Sequence, residues 1–131
     1  MRPAALRKYL KYLLRELHLG DWVIRLGESL PSEGGEWATI SVTEGQREAL
    51  LRVDPTLWSQ PPADIRWVLT HELLHIHGNP LLEAIRPVEA LVGAPAYSVL
   101  RHDFMLAAER CNDAIARVLA EHLALPPKGG K

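Results

Sequence analysis

Residues 70–77 put two histidines and a glutamate inside a run of apolar residues, and no other feature of this 131-residue chain restricts its fold as strongly. His71, Glu72 and His75 have apolar neighbours before and after them, namely Trp67, Val68, Leu69, Leu73, Leu74 and Ile76. Two imidazoles and a carboxylate are costly to bury without partners. The chain therefore has to bring other polar groups, or a cation, to this segment.

The segment itself is predicted to be a helix from about Ala63 to His77. Pro61-Pro62 pre-sets the geometry of a first helical turn, and Asp64 is favourable at the positive end of a helix. Gly78 is a suitable C-cap, and Pro80 is expected to prevent the helix from continuing.

The first half of the chain predicts one helix followed by three strands. Leucines and a tyrosine recur at helical spacing in an amphipathic helix from about Ala4 to His18, closed by Gly20. Short alternating or apolar runs predict strands at Trp22–Leu26, Trp37–Val42 and Ala49–Val53. The last two strands are expected to form a hairpin, and either of them is a candidate for the edge of the sheet.

The second half is predicted to be helical. The segment Leu81–Val92 is expected to be partly helical and interrupted by Pro87, and a long helix is expected from about Ala96 to Ala124. Pro126-Pro127 would end that helix, and residues 125–131 would form a flexible tail. This order of elements predicts a single α+β domain over residues 1–131.

Charge argues against nucleic acid and anionic membrane surfaces as partners. Fifteen Lys and Arg residues balance sixteen Asp and Glu residues, for a net charge of −1. The basic residues near the amino terminus are interpreted as a solvated helix face. They are Arg2, Arg7, Lys8, Lys11 and Arg15.

A single cysteine, Cys111, excludes a disulfide or a thiolate zinc cluster within one chain, and its small apolar side chain is expected in the core. No apolar run reaches the roughly 18 residues of a membrane span. Charged residues interrupt the first 20 positions where a signal peptide would need an apolar stretch. We therefore expect a cytoplasmic protein without a membrane partner.

The predicted helix gives His71 and His75 the spacing of metal ligands. Residues i and i+4 share one helix face, so one nitrogen of each imidazole can point to the same position, as zinc requires. Glu72 is offset by about 100° from His71, which places it to reach a zinc-bound water rather than the metal. Zinc lowers the pKa of that water, and Glu72 would accept its proton during attack on a carbonyl.

A catalytic zinc usually takes a third protein ligand. The candidates are His77, Glu83, Glu89, His102, Glu109 and His122. Glu109 is preferred because Glu109 and Asp113 are like charges four residues apart, an unfavourable pair unless a cation compensates it. Asp113 would then hold a histidine ring in place. His102 remains the alternative ligand, whereas His77 is expected to point away from the site.

The segment His71-Glu72-Leu73-Leu74-His75 resembles the zincin metallopeptidase signature. Glu109 followed by Asp113 resembles the E-x-x-x-D motif of the gluzincins, and the short chain is similar to minimal, phage-type HExxH peptidases. This resemblance implies a zinc site of His71, His75 and Glu109, with Glu72 as base and Asp113 bonded to one of the histidines. It also implies that a peptide or protein substrate adds to an edge strand, either Trp37–Val42 or Ala49–Val53.

No secure donor for an oxyanion is evident in the sequence. Tyr97 and His102, on the segment that enters the last helix, are the candidates for polarising a scissile carbonyl. The four tryptophans, Trp22, Trp37, Trp58 and Trp67, are interpreted as core anchors.

Three functions compete at this point. The first is a zinc peptidase. The second is a zinc-stabilised binding or regulatory module that keeps the metal but has little or no turnover. The third is a metal-free structural or assembly protein.

Overall fold

A computed structural model of the chain describes residues 1–43 and 45–128. It has the predicted α+β architecture, with one helix, a three-stranded sheet and then further helices. The elements are α1 (Pro3–Glu16), β1 (Val23–Leu26), β2 (Ala38–Thr43), β3 (Glu48–Val53), α2 (Pro62–Ile85), α3 (Val88–Val92) and α4 (Ala94–Ala120), with a 3-10 turn at Pro55–Ser59 between β3 and α2.

The sheet has the strand order β1-β3-β2. β2 and β3 are antiparallel, with Ile40 opposite Leu51, so the predicted hairpin is confirmed. β1 pairs in parallel with the other side of β3, which makes β3 the central strand. The expectation that Ala49–Val53 is a candidate edge strand is therefore wrong, and β1 and β2 are the two edge strands of the described sheet.

Leucine-rich faces of α1, α2 and the sheet form the hydrophobic core. α2 contacts α1, β2 and α4, so it lies at the centre of the fold. The tryptophans predicted to anchor the core pack against it while remaining partly exposed. The largest fully buried side chains are those of Leu13, Leu51, Leu57, Leu69, Leu73 and Thr70.

α1 ends two residues earlier than predicted, and Gly20 is not its cap. His18 takes the left-handed conformation, with φ of 59°, that usually closes a helix. Nε2 of His77 donates a hydrogen bond to the carbonyl oxygen of the neighbouring residue, Leu17, at 2.6 Å. His77 therefore joins α2 to the end of α1 and points away from His71 and His75, as predicted.

α2 does not stop at Gly78 but continues through Pro80 to Ile85. A proline inside a helix removes one hydrogen bond and strains the preceding turn. Here that cost is offset because α2 packs along α4. The helix ends instead just before Pro87, as expected from the restriction that a proline places on the preceding residue.

The face of α4 opposite α2 is open to solvent. Cys111 is exposed, so the prediction of a small core residue is wrong. Beyond α4 the chain stays packed further than predicted, since Tyr9 Oη donates to the Ala124 carbonyl oxygen at 2.8 Å and Pro126 is buried. Residues 129–131 of the predicted tail and Glu44 of the hairpin turn lie outside the described residues.

None of the helices in the described part of the chain combines the length and the apolar character that a membrane crossing requires.

The course of α2 predicts that Gly78→Ala stabilises the protein by about 0.5–1 kcal/mol, since alanine is the better residue within a helix. A Cβ atom added at Gly78 meets no atom within 4 Å. Chemical denaturation measures the change. Gly93→Ala is the matched control and should destabilise, because Gly93 has a φ of +87°. Destabilisation by Gly78→Ala would show that the helix ends at residue 78.

Candidate metal centre

The site is built by α2 and α4, which pack antiparallel in a fixed register. Three contacts show this register: Trp67 with Arg117, His71 with Asp113, and His75 with Glu109. Each step of four residues forward along α2 is matched by four residues back along α4. Because four residues are about one helical turn, the three contacts form consecutive layers.

The Glu109 carboxylate joins both imidazoles of the HExxH segment. His71 Nε2 lies 3.1 Å from Glu109 Oε2, and His75 Nε2 lies 2.8 Å from Glu109 Oε1. The imidazole side chains are 12% and 19% exposed, whereas the carboxylate is 50% exposed. The two rings therefore face inward from α2, and the carboxylate closes the site from the solvent side.

The other nitrogen of each ring meets a different residue of α4. Nδ1 of His71 lies 3.2 Å from Asp113 Oδ1, although the two are not aligned as a hydrogen bond. Nδ1 of His75 accepts a hydrogen bond from Asn112 Nδ2 at 3.1 Å. Each imidazole thus has Nε2 at the shared carboxylate and Nδ1 at an outer polar group.

Asn112 is a site residue that the sequence analysis missed. It is buried, with 8% exposure, and it is one of only three buried residues in α4. The signal in the sequence was its position, because residues three or four apart on a helix share a face and Asn112 follows Glu109 by three.

Glu72 lies in the same cluster as His71 and His75, but its side chain is buried. Its carboxylate and one nitrogen each of His71 and His75 lie within 4.8 Å of one another, close enough for the three to bind a metal ion. Burial is the main cause that raises the Glu72 pKa to about 8, and the negative charges of Glu109 and Glu36 add to the rise. A hydrogen bond from the backbone of Ile40, in edge strand β2, acts in the opposite direction.

Burial also lowers the pKa of His75, and the neighbouring His71 contributes to the decrease. Glu109 opposes it, through its charge and its hydrogen bond. The main effect favours the neutral imidazole, which is the form that ligates metals.

Trp67 and Arg117 close one end of the site. The Trp67 ring meets the His71 ring edge-on, with centroids 6.1 Å apart. The Arg117 guanidinium lies 4.6 Å from the centre of the Trp67 ring, a cation–π contact. His71 is therefore packed by an aromatic ring one turn before it, which restricts the orientation of its own ring.

The remaining candidates from the sequence lie apart from this cluster. Tyr97 and His102, in the first half of α4, are not among the described residues that line the site cleft. Glu83 lines the cleft but bonds to Arg86. Glu89 and His122 are exposed, on α3 and after α4 respectively.

A cleft of about 830 Å³ opens onto the cluster. α2 forms its floor, and edge strand β2 and α4 form its two walls. Its apolar lining includes the side chains of Trp37, Ile40, Val42, Leu82, Phe104 and Met105. A cleft of this size, with a few polar groups converging at one point, is typical of a small-molecule or peptide site.

No family model, curated protein or solved structure matches this chain. The chemistry of the site is therefore inferred from its own geometry.

The raised pKa of Glu72 predicts that Glu72→Gln changes the free energy of unfolding of the metal-free protein by an amount that depends on pH. A folded-state pKa of about 8, against 4.5 for the unfolded chain, means that folding takes up a proton between these two values. In this range the unfolded chain loses the proton while folded Glu72 keeps it, so the wild type loses stability as pH rises from about 4.5 to 8. Glutamine does not titrate, so the stability of the variant relative to wild type should rise with pH over this range. The rise should be at most about 1 kcal/mol per pH unit.

Urea denaturation with a chelator present, at pH 5 and pH 8, measures this difference. Glu121→Gln, at an exposed glutamate, serves as the control and should show no such trend. A constant difference between Glu72→Gln and wild type at the two pH values would contradict the raised pKa.

Proposed function

We propose that this chain is a small zinc-dependent peptidase, with His71, His75 and Glu109 as metal ligands and Glu72 as general base. The observation that supports it most is the meeting of two imidazole Nε2 atoms from α2 with one carboxylate from α4, at 3.1 and 2.8 Å. The resemblance of residues 71–75 to the zincin signature also supports this proposal.

The donor set fits zinc. Zinc takes nitrogen and carboxylate ligands at about 2.0–2.2 Å, so two ligand atoms in a tetrahedral shell are about 3.3 Å apart. The two contacts of Glu109 are already close to that spacing. With Nε2 of each ring turned to the metal, Nδ1–H would donate outward, to Asp113 from His71 and to Asn112 from His75. Asn112 would then present its amide oxygen, after rotation of the amide group.

A bound zinc ion would supply Lewis acidity, polarising a peptide carbonyl and lowering the pKa of an adjacent water molecule. Glu72 would accept a proton from the attacking water as the water oxygen bonds to the carbonyl carbon. It would pass that proton to the leaving amine as the carbon–nitrogen bond breaks. Burial raises the Glu72 pKa to about 8 in the metal-free protein, and a bound cation would lower it and favour the carboxylate that accepts the proton.

The proposed substrate is an extended peptide in the cleft beside β2. β2 is an edge strand, so part of its backbone hydrogen-bonding capacity is available to an added strand. The apolar cleft wall would receive alternate side chains of such a peptide.

A zinc-stabilised binding or regulatory module is the second candidate. One observation favours it: neither Tyr97 nor His102 is among the described residues lining the cleft, although both are the sequence candidates for stabilising an oxyanion. Loss of such a donor typically lowers kcat by about 100- to 1,000-fold. Such a module would bind peptides in the same cleft without cleaving them.

The peptidase proposal predicts that Glu72→Gln retains one equivalent of zinc and loses peptide hydrolysis. Glutamine preserves the shape of the side chain but cannot accept the proton. Elemental analysis measures the zinc, and release of new amino termini from an unstructured protein such as casein measures the hydrolysis. Hydrolysis by zinc-loaded Glu72→Gln would contradict the mechanism, and zinc-loaded wild type without hydrolysis would favour the binding module.

The ligand assignment predicts graded losses of zinc affinity. Glu109→Ala removes a ligand and should weaken binding by more than 100-fold. Asn112→Ala and Asp113→Ala remove outer partners and should each cost about 10- to 100-fold. Competition with a zinc-chelating dye measures these affinities, and Glu89→Ala is the exposed control. An unchanged affinity in Glu109→Ala would assign the third ligand elsewhere, and a zinc-free wild type would support the metal-free alternative.

A further inference from the structure

Arg101 lines the same cleft, at the end away from Trp67 and Arg117. In the antiparallel register of α2 and α4, Arg117 and Trp67 close the cleft on one side of the Glu109 layer. Arg101 lies on the other side, eight residues before Glu109, or about 12 Å along the helix axis. It lines the cleft and is exposed to solvent.

Apart from Glu36, whose charge acts on Glu72, the other charged residues of the cleft have partners or lie in the histidine cluster. Arg86 bonds to Glu83, with its guanidinium 3.3 Å from the carboxylate. Glu109 and Asp113 meet the histidines, and Glu72 is the buried carboxylate beside them. In contrast, no carboxylate among residues 1–43 and 45–128 forms an ion pair with Arg101.

Half-buried apolar side chains lie next to Arg101 on the cleft wall. Phe104 and Met105 follow it on α4, and Leu82 faces the cleft from α2. A ligand in this part of the cleft would displace water from around the guanidinium. Charge–charge attraction is stronger where water is excluded, so a carboxylate bound here gains more than at an open surface.

We infer that Arg101 is a specificity-determining residue that binds a carboxylate of the peptide in the cleft. This inference rests on the proposed function for the reaction, but the recognition step requires only that the cleft binds peptide. An extended chain advances about 3.3 Å per residue, so the 12 Å between Arg101 and Glu109 corresponds to about three or four residues. The recognised carboxylate thus lies about that far along the peptide from the bond at the metal.

Two sources can supply this carboxylate: an Asp or Glu side chain, or the carboxyl terminus of the peptide. Arginine binds either one through the same pair of parallel N–H donors. The structure therefore assigns the binding of a carboxylate. The peptides used in the test distinguish a side-chain carboxylate from a terminal one.

The test measures peptide binding by fluorescence anisotropy in the zinc-loaded Glu72→Gln protein, where bound peptides stay intact. One labelled peptide series carries Glu, Gln or Lys at successive positions and has an amidated terminus. A second series lacks acidic residues and has either a free or an amidated carboxyl terminus. Arg101→Gln and Arg101→Glu are compared in this background, and Arg110→Glu, an exposed arginine of α4 that does not line the cleft, is the matched control.

The expected result is that the parent protein prefers one carboxylate-bearing peptide over its neutral partner, and that Arg101→Gln reduces this preference about three- to tenfold. Arg101→Glu should reverse the preference towards Lys, whereas Arg110→Glu should leave it unchanged. The preference should also weaken as salt rises, because the guanidinium is exposed when free.

Equal binding of all peptides by the parent protein, or an unaltered preference in Arg101→Glu, would overturn the inference. Failure of the proposed function has a different signature. If wild type cleaves no peptide while the Arg101-dependent preference persists, the peptidase proposal is wrong and carboxylate recognition stands as a property of a binding module.

Discussion

The antiparallel packing of α2 against α4 is the constraint on which the site depends. His71 and His75 are fixed to each other by their spacing on one helix, but Glu109, Asn112 and Asp113 reach them only through the register between the two helices. One residue of slippage on α4 would rotate its side chains by about 100° and turn the carboxylate away from the imidazoles. The Trp67–Arg117 contact and the buried residues Ala116 and Ala120 hold α4 in the register that avoids this.

Much of this arrangement was predictable, because helical periodicity is a local property. The four-residue spacing of the histidines and of Glu109 and Asp113 placed each pair on one face, and the structure brings the two pairs together as expected. The hairpin and the α+β order also followed from local patterns. The metal and its role remain predictions.

The errors arose where tertiary packing outweighs local preference. Gly78 and Pro80 are usual signals for the end of a helix, yet α2 continues past both because α4 lies alongside it. The edge of the sheet was ambiguous because β1 pairs across a long stretch of chain, and only that pairing makes β3 central. Cys111 was expected in a core that does not extend to the outer face of α4.

A metal ion bound at this site would also stabilise the fold. Only Asn112, Ala116 and Ala120 are buried in the 27 residues of α4, so little apolar burial holds this helix to the rest of the protein. A cation shared by α2 and α4 would add a direct link at the Glu109 layer. It would also relieve the cost of keeping Glu72 buried beside Glu109, because a positive charge favours the ionised form of both carboxylates. A ligand that binds only the folded state stabilises that state in proportion to the logarithm of its concentration. The same layer that would supply the chemistry would thus fix the position of α4 and, with it, one wall of the cleft.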